Sequence, residues 1–405
     1  GITNWSASKD PSGGTPARQN SLYALLAYPA LNISRVDATS DTFAFVRLNR
    51  SIDISRLSPL QIHITSRTVK AIQPLDETKF YVFVDYPFSV DSSYKIQIDT
   101  LWTCSGESFT SLSYEFCIGV QHHKTAPIIN EILFKPASGV SEFVEIYNPT
   151  NQCVYIEKWL IATLYFDTTK IKYSSVISGL PYSMHPDEYL VICTDSNSIK
   201  NYYPDVPSGV FLQLKSMPYL TNDSGTVALL TDSSSIHEKA IYRDRMHYKL
   251  LVSTYGVSLE RVSPYLPALD TNNWHSASSL TGYATPGYKN SQYLINQESE
   301  GWLSLSSQLI SPDNDGFQDN LIINIILEEP GYTATLIVYT PAGLPVRTIA
   351  ENILLGTENH IIWDGTDDSR KPLPLGNYIL YASLFHPSGK TKKTYKPISV
   401  IYPMK

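Results

Sequence analysis

The feature that most constrains the fold is a succession of short segments in which apolar and polar residues alternate. Such segments occupy Phe43–Leu48, residues 60–65 (LQIHIT), 80–86 (FYVFVDY) and 94–99 (YKIQID). A period of two places the apolar side chains on one face of a β-strand. Turn residues, among them Asp91 and Ser92, separate the segments at the spacing typical of a β-sandwich. We therefore predict an all-β fold class.

Composition supports this prediction and excludes two classes of function. The chain has 405 residues, of which 28 are Tyr, 26 are Pro and only 17% are charged, and tyrosine favours strands. Its length predicts two to four domains. The net charge of −7 and the lack of a Lys/Arg cluster interleaved with aromatic residues argue against nucleic acid as a partner. No apolar run approaches the roughly 18 residues of a membrane-spanning helix, so we predict no membrane-spanning segment.

One motif occurs twice, 269 residues apart. The two copies read NWSAS followed by GTPARQNS (residues 4–21), and NWHSAS followed by ATPGYKNS (residues 273–291). Trp5 lies 11 residues before Pro16, and Trp274 lies 12 residues before Pro286. The second copy closes a β-rich segment, so the first copy is interpreted as the end of an earlier domain whose body is missing. The alternative is a chance coincidence of ordinary loop residues.

The segment 126–292 resembles a known family through a series of blocks in a fixed order. The blocks are INEI, EFVEIYN, EKWLIA, EYLV, NDSGTVALL, SLER and ATPGYKN. This order is similar to that of the lamin-tail domain, an Ig-like sandwich found in nuclear lamins and in secreted bacterial proteins. The chain departs from the family by reading EKWL where SGWxL is usual. The resemblance identifies residues 1–21 as the C-terminal remnant of a preceding lamin-tail domain.

Two other segments resemble domains of bacterial surface proteins. Residues 22–123 contain TFAFVRLNRSID and SSYKIQIDTLWTCSGESF, which are similar to the bacterial Ig-like domain of surface-layer proteins. Residues 301–405 contain YTPAGLPVR and WDGTDDSRKPLPLGNY, which resemble the Ig-like domain of the flagellar hook-capping protein. Together the three resemblances imply three consecutive Ig-like β-sandwiches.

A candidate calcium site lies in SPDNDGFQDN, residues 311–320. Aligned to a calcium-binding loop, Asp313, Asp315 and Asp319 fall at positions 3, 5 and 9. Position 12 is isoleucine, so the bidentate acid of such a loop is absent, and carbonyls or the neighbouring Asp367 and Asp368 would have to complete the site. The alternative is a solvated acidic turn without a metal. Calcium is the only cofactor that the sequence suggests.

The four cysteines leave the redox compartment open. Cys104 and Cys117 flank a Gly/Ser-containing loop between two strand-like segments, so a disulfide between them is one prediction and two buried thiols are the other. Cys153 and Cys193 lie in apolar strands, and for them we predict buried free thiols.

Catalytic chemistry finds little support. The sequence contains neither a GxSxG nor an HExxH motif. Glu131, Glu142 and Glu145 would suit the carboxylate pair of a glycosidase. However, glutamates that alternate along a strand are typical of the outward face of a sheet, which in an antiparallel sandwich is commonly solvated. We therefore predict that the protein is not an enzyme.

Three functions remain open. The first is a structural or adhesive module, with a protein or a cell-surface polymer as partner, located outside the cell, on its surface or in the periplasm of a Gram-negative bacterium. The second is glycan binding through exposed tyrosines and tryptophans. Candidate tyrosines for this are Tyr182, Tyr202, Tyr203, Tyr219 and Tyr242. The third is an accessory region that positions an upstream catalytic domain.

Overall fold

The computed structural model confirms the all-β prediction. It describes residues 10, 11, 14, 16, 29–39, 41–90, 92–121, 125–165, 168–203, 205–207, 211–294, 301–313 and 318–402. Within these ranges the chain forms 28 strands and one short α-helix. Short 3-10 helices occupy Ile54–Arg56, Pro59–Gln61, Asp244–Met246, Thr271–Asn273 and Ser279–Thr281. None of the described helices has both the length and the apolar character needed to cross a membrane.

The chain divides into two compact units, of which the first comprises residues 1–36, 42–87 and 94–116. Seven strands lie wholly or mainly in it: β1 (Ile33–Ala38), β2 (Phe43–Leu48), β3 (Ile62–Ile64), β4 (Val69–Asp76), β5 (Lys79–Val84), β6 (Ser93–Trp102) and β7 (Ser108–Cys117). They form a four-stranded sheet in the order β1-β2-β5-β4 and a three-stranded sheet in the order β3-β6-β7. The predicted alternation is visible in β6, whose residues are alternately buried and exposed from Ser93 to Asp99.

The second unit comprises residues 37–41, 88–93 and 117–405. Its first part contains β8 (Val120–Gln121), β9 (Ile128–Leu133), β10 (Phe143–Tyr147), β11 (Val154–Tyr155), β12 (Leu160–Leu164), β13 (Ile171–Val176), β14 (Ser183–Met184), β15 (Tyr189–Cys193), α1 (Ser196–Tyr202), β16 (Phe211–Gln213), β17 (Ser224–Leu230), β18 (Ile236–Arg243), β19 (Leu259–Arg261) and β20 (Trp274–Ser276).

Three sheets organise this first part. A six-stranded sheet has the order β16-β15-β10-β9-β19-β20, a four-stranded sheet has the order β13-β12-β17-β18, and β14-β11-β8 form a third, small sheet. One hydrophobic core contains buried residues of both large sheets, such as Ile132 and Val144 from one and Ile161 and Val227 from the other. The outer face of the six-stranded sheet is the face turned away from this core.

The second part of this unit contains β21 (Leu303–Leu305), β22 (Leu309–Ile310), β23 (Leu321–Ile326), β24 (Thr333–Tyr339), β25 (Pro345–Leu354), β26 (Glu358–Trp363), β27 (Gly376–Phe385) and β28 (Thr391–Val400). A three-stranded sheet, β21-β23-β26, and a five-stranded sheet, β22-β28-β27-β24-β25, contribute to one core. Trp363, which begins the predicted WDG block, is 1% exposed in this core.

The domain boundaries and the number of sandwiches stay predictions. Of the predicted remnant, residues 1–21, only four residues fall within the described ranges, so the first copy of the repeated motif lies almost entirely outside them. The second copy is described in full and has a defined role at the outer face of the six-stranded sheet.

Candidate functional site

Three glutamates form a row across the outer face of the six-stranded sheet. Glu145 of β10 pairs directly with Glu131 of β9, and Glu131 pairs with Glu260 of β19. Directly opposed residues on neighbouring antiparallel strands point to the same face, with Cβ atoms roughly 5 Å apart. All three side chains are 0% exposed. We call these three residues the glutamate row.

This burial corrects the prediction for two of the glutamates. Glu131 and Glu145 do lie on the outward face, but that face is covered rather than solvated. Glu142 lies outside the row, where its carboxylate accepts a hydrogen bond from the backbone N–H of Leu220 at 3.2 Å. Partial burial raises the pKa of Glu142 to about 7. Glu260 belongs to the SLER block, but no alternation with the other acids marks it in the sequence.

A β-bulge in β9 shapes the row. The register between β10 and β9 shifts after Glu145, so that Ile146 pairs with Ile129 rather than with Asn130. A bulge lets consecutive residues escape strict alternation. Asn130 therefore joins Glu131 on the outer face, where its Nδ2 donates to Glu145 Oε1 at 2.8 Å.

The second copy of the repeated motif covers the row. We call residues 284–292 the strap. The backbone N–H of Thr285 donates to Glu131 at 2.9 Å, that of Gly287 to Glu145 at 2.6 Å, and that of Gln292 to Glu260 at 2.8 Å. Gly287 has a φ of +90°, a conformation that glycine adopts at little cost. The Thr-Pro-Gly sequence thus turns the strap so that its amides face the three carboxyl groups.

Side chains complete the contacts between the strap and the sheet. Asn290 Nδ2 donates to the carbonyls of Asn130 and Arg261, at 3.1 and 2.9 Å, and Asn290 Oδ1 accepts from Asn130 Nδ2 at 2.7 Å. The Ser291 hydroxyl donates to Glu260 Oε2 at 2.8 Å. Ser258, on the sheet side, donates to Glu131 Oε1. Each of the six carboxyl oxygens of the row therefore has a partner within the chain.

The contacts of the Thr285 hydroxyl indicate which glutamate of the row is protonated. Its oxygen lies 2.8 Å from Glu260 Oε1 and 3.3 Å from Glu131 Oε2. A hydroxyl carries one hydrogen and therefore donates to only one of these two oxygens. If it donates to the nearer Glu260, the other contact is a hydrogen bond only when Glu131 is protonated and donates to Thr285. The geometry thus fits a neutral Glu131.

Electrostatics favour the same protonation state. Burial, followed by repulsion from Glu260, raises the pKa of Glu131 to about 8. Burial and the repulsion from Glu131 raise the pKa of Glu145 well above its usual range, and burial raises that of Glu260. Among the described residues, no Lys or Arg forms an ion pair with any of the three. The row is therefore an assembly of shared protons and hydrogen bonds rather than of ion pairs.

The strap also connects the two parts of the second unit. The Ser291 carbonyl accepts a hydrogen bond from the N–H of Thr357 at 2.9 Å. Gln292 Nε2 donates to the carbonyls of Ser276 and Leu355, at 2.9 and 3.0 Å, and Gln292 is 0% exposed. The segment that covers the glutamate row is thus also the segment that fixes the start of β26 against the first part.

The cysteines pair differently from the prediction. The structure contains a disulfide between Cys117 and Cys153, and Cys104 and Cys193 are free. The predicted Cys104–Cys117 pair is wrong because Cys104 lies in the turn before β7, whereas Cys117 is the last residue of that ten-residue strand. Cys153 is not the predicted free thiol. Cys193 is, as predicted, buried and free, and burial raises the pKa of its thiol to about 12.

The disulfide lies beside a histidine. Both sulfur atoms and a ring nitrogen of His185 lie within 4.8 Å of one another, the only group of three metal-ligating side chains among the described residues. Zinc requires thiolates, and the two sulfur atoms are bonded to each other here. The oxidised pair is therefore a structural crosslink within the second unit, to which both cysteines belong.

The predicted calcium residues are only partly described. Asp315 lies outside the described residues, so calcium stays a prediction for this loop. The Ser311 hydroxyl lies 3.4 Å from Asp313 Oδ2. The two acids proposed to complete the site accept hydrogen bonds from the backbone. Asp367 Oδ1 accepts from the N–H of Ser369, and Asp368 Oδ1 accepts from the N–H of Thr348.

The candidate tyrosines divide between core and surface. Tyr182, Tyr203 and Tyr242 are buried, with exposures of 5%, 2% and 1%. Tyr202 and Tyr219 are exposed, at 50% and 61%. Three of the five therefore belong to the packing of the domain and are inaccessible to a glycan.

Comparisons with known proteins assign no family. No family model and no curated protein matches the sequence. Among solved structures, the bacterial S-layer protein rSbsC(31-844) aligns with 93% of this chain and 55% of its own, at 11% identity and a TM-score of 0.22. PorZ, described as a surface component of the type-IX secretion system of Porphyromonas gingivalis, aligns with 92% of this chain and 51% of its own, at 10% identity and a TM-score of 0.22. The chain thus spans about half the length of these structures, and similarity at this level assigns no function.

Proposed function

We propose that this chain is a non-catalytic structural module of a bacterial cell-surface or secreted protein. The observation that carries the proposal is the satisfaction of the glutamate row by its own chain. A catalytic carboxylate must reach its substrate within hydrogen-bonding distance. Glu131, Glu145 and Glu260 are fully buried, and the strap and the sheet occupy all of their oxygens.

Two further observations support an extracellular location. The Cys117–Cys153 disulfide is typical of proteins that fold in an oxidising compartment. In addition, the sequence contains blocks that resemble surface-layer Ig-like, lamin-tail and hook-capping domains. These resemblances imply a bacterial surface or secreted protein. A module of several sheets with a strap that joins two of its parts is suited to hold neighbouring domains at fixed positions.

A pair of assays tests the proposal. The purified chain and its E131Q/E145Q double variant are incubated with a panel of nitrophenyl glycosides, since paired carboxylates suit glycosidases best. We expect no turnover by either protein. Turnover by the original chain that the double variant lacks would contradict a structural role.

The location is tested separately in the source bacterium. An antibody against the chain is applied to intact cells, and a cytoplasmic marker protein serves as the control. We expect labelling of intact cells, or recovery of the chain in the periplasmic or medium fraction. Recovery only with the cytoplasmic marker would overturn the proposed location.

A further inference from the structure

A groove in the C-terminal part has the chemistry of a sugar site. It has a volume of about 320 Å³ and lies between β21 with its neighbour β23 on one side and β28 on the other. A groove of this size is at the lower end of the range for small-molecule sites. Trp302, Ser304 and Asn324 line one wall, and Gln308 and Lys396 line the other.

The first wall has a fixed geometry. Ser304 pairs directly with Asn324 across β21 and β23, so both side chains lie on one face. The Trp302 carbonyl accepts the N–H of Ile326 at 3.1 Å, and the half-buried indole packs in part against the core. Asn324 Oδ1 lies 2.8 Å from His360 Nδ1, so the Asn324 amide NH2 is the group left for a ligand. The wall thus combines an aromatic face with a hydrogen-bond donor.

The second wall carries an unmatched positive charge. The Gln308 carbonyl accepts the N–H of Ser399 at 2.8 Å and so anchors this segment to β28, the strand that contains Lys396. Lys396 is half-buried, and among the described residues it forms no ion pair. The lining of the groove includes no carboxylate. An ammonium group without a counter-ion, in a groove without carboxylates, favours an anionic ligand.

We propose that this groove binds an acidic sugar residue, a pyranose that carries a carboxylate, within a glycan chain. The apolar C–H face of the sugar packs on the Trp302 indole, since aromatic rings offer a large apolar face. The carboxylate pairs with Lys396, and the hydroxyl groups bond to the Gln308 and Asn324 amides. This binding function goes beyond the structural role and does not depend on it, because the groove and the glutamate row share no residue.

Isothermal titration calorimetry on the full chain tests the site. The probes are tri-galacturonic acid, its methyl ester, and sialyllactose with lactose as its neutral counterpart. Comparison of these probes distinguishes uronic acids from sialic acids, and charged sugars from neutral ones. We expect saturable binding of at least one acidic probe and at least tenfold weaker binding of its neutral counterpart. No saturable binding of either acidic probe at millimolar concentration would overturn the proposal.

Matched variants locate the binding. We expect W302A and K396Q each to lower the affinity for the acidic probe at least tenfold. K396Q should leave any affinity for the neutral counterpart unchanged. K393Q and Y395A serve as controls, because both residues are exposed and lie on the opposite face of β28. An unchanged thermal midpoint shows that each variant is folded, and K396Q decides the result if W302A unfolds. Binding that both groove variants leave unchanged would equally overturn the proposal.

Discussion

Two sheets of the second unit differ in what their outer faces bury. One outer face buries charged residues, and the other exposes apolar ones. On the six-stranded sheet, the outer face carries Glu131, Glu145 and Glu260, and all three are 0% exposed. On the three-stranded sheet, the outer face carries the cross-strand pair Ile322 and Ile362, which are 38% and 64% exposed. The three charged residues are buried, whereas this apolar pair is accessible to solvent.

The strap accounts for the difference. It supplies backbone amides and the hydroxyl groups of Thr285 and Ser291 to the charged face, and these groups replace the water that the carboxyl groups lose. A buried polar group is tolerated when each of its atoms has a hydrogen-bond partner. The presence of a covering segment therefore decides whether the outer face of a sheet can hold buried carboxyl groups.

The largest effect is expected from the loss of one carboxyl group of the row. E260A leaves the Ser291 hydroxyl and the Gln292 N–H without their acceptor, and each unsatisfied buried donor costs about 1–3 kcal/mol. We expect the free energy of unfolding to fall by about 4 kcal/mol in urea denaturation.

The matched control is E358A on the outer face of the other sheet. Glu358 is part-exposed and pairs with Lys289 at 3.3 Å. We expect a loss below about 1 kcal/mol, as for surface ion pairs in general. Equal losses for the two variants would show that the buried and exposed faces do not differ in energy.

A smaller effect is expected in the strap itself. Gly287 and Gly389 have nearly equal positive φ angles, +90° and +91°, but only Gly287 donates its N–H to a buried carboxylate. G389A measures the cost of the backbone conformation alone, about 1 kcal/mol. We expect G287A to cost about 1–2 kcal/mol more, measured by urea denaturation. A cost no greater than that of G389A would mean that the strap contributes little to stability.

The sequence predicts the strands better than it predicts what covers them. Residues 43–48 form β2 with the predicted bounds, because alternation is a local signal. The repeated motif is also local, and it marks the strap. The burial of Glu131 and Glu145 depends on residues about 140–155 positions later, which no local pattern reveals. The Cys117–Cys153 disulfide likewise joins two residues that are 36 positions apart.

The glutamate row also predicts how stability depends on pH. Because the pKa of Glu131 is raised in the folded chain, the native state binds more protons than the unfolded state between about pH 4.5 and 8. Stability then falls as the pH rises, by about 1.4 kcal/mol per pH unit for each such proton. His247 and His275, whose pKa values burial lowers to about 4, act in the opposite direction below about pH 6.5.

The window between pH 6.5 and 8 therefore isolates the carboxyl groups from these two histidines. We expect the free energy of unfolding to decrease across this window in the original chain. E131Q removes the carboxyl group that loses its proton in this window, so this variant should show a smaller decrease. A decrease of the same size in E131Q would show that Glu131 is not its origin.

The smallest effect is expected at the exposed apolar pair on the three-stranded sheet. I362T keeps a β-branched side chain at a position that is 64% exposed, so we expect a change within about 0.5 kcal/mol. I361T, at the neighbouring residue of β26, replaces a side chain that is 8% exposed and packs in the core, and we expect about 2 kcal/mol. Thermal or urea unfolding compares the two. A large loss for I362T would indicate that this face is covered.

The protonation of Glu131 is the most direct test of the account. Chemical shifts of 13C-labelled glutamate carboxyl groups are recorded between pH 4 and 10 by NMR, and E131Q identifies the Glu131 signal by its absence. The account predicts that this carboxyl group stays protonated at neutral pH and titrates near pH 8. Titration of Glu131 near pH 4.5, as in a solvated glutamate, would contradict a row of buried carboxyl groups closed by the strap.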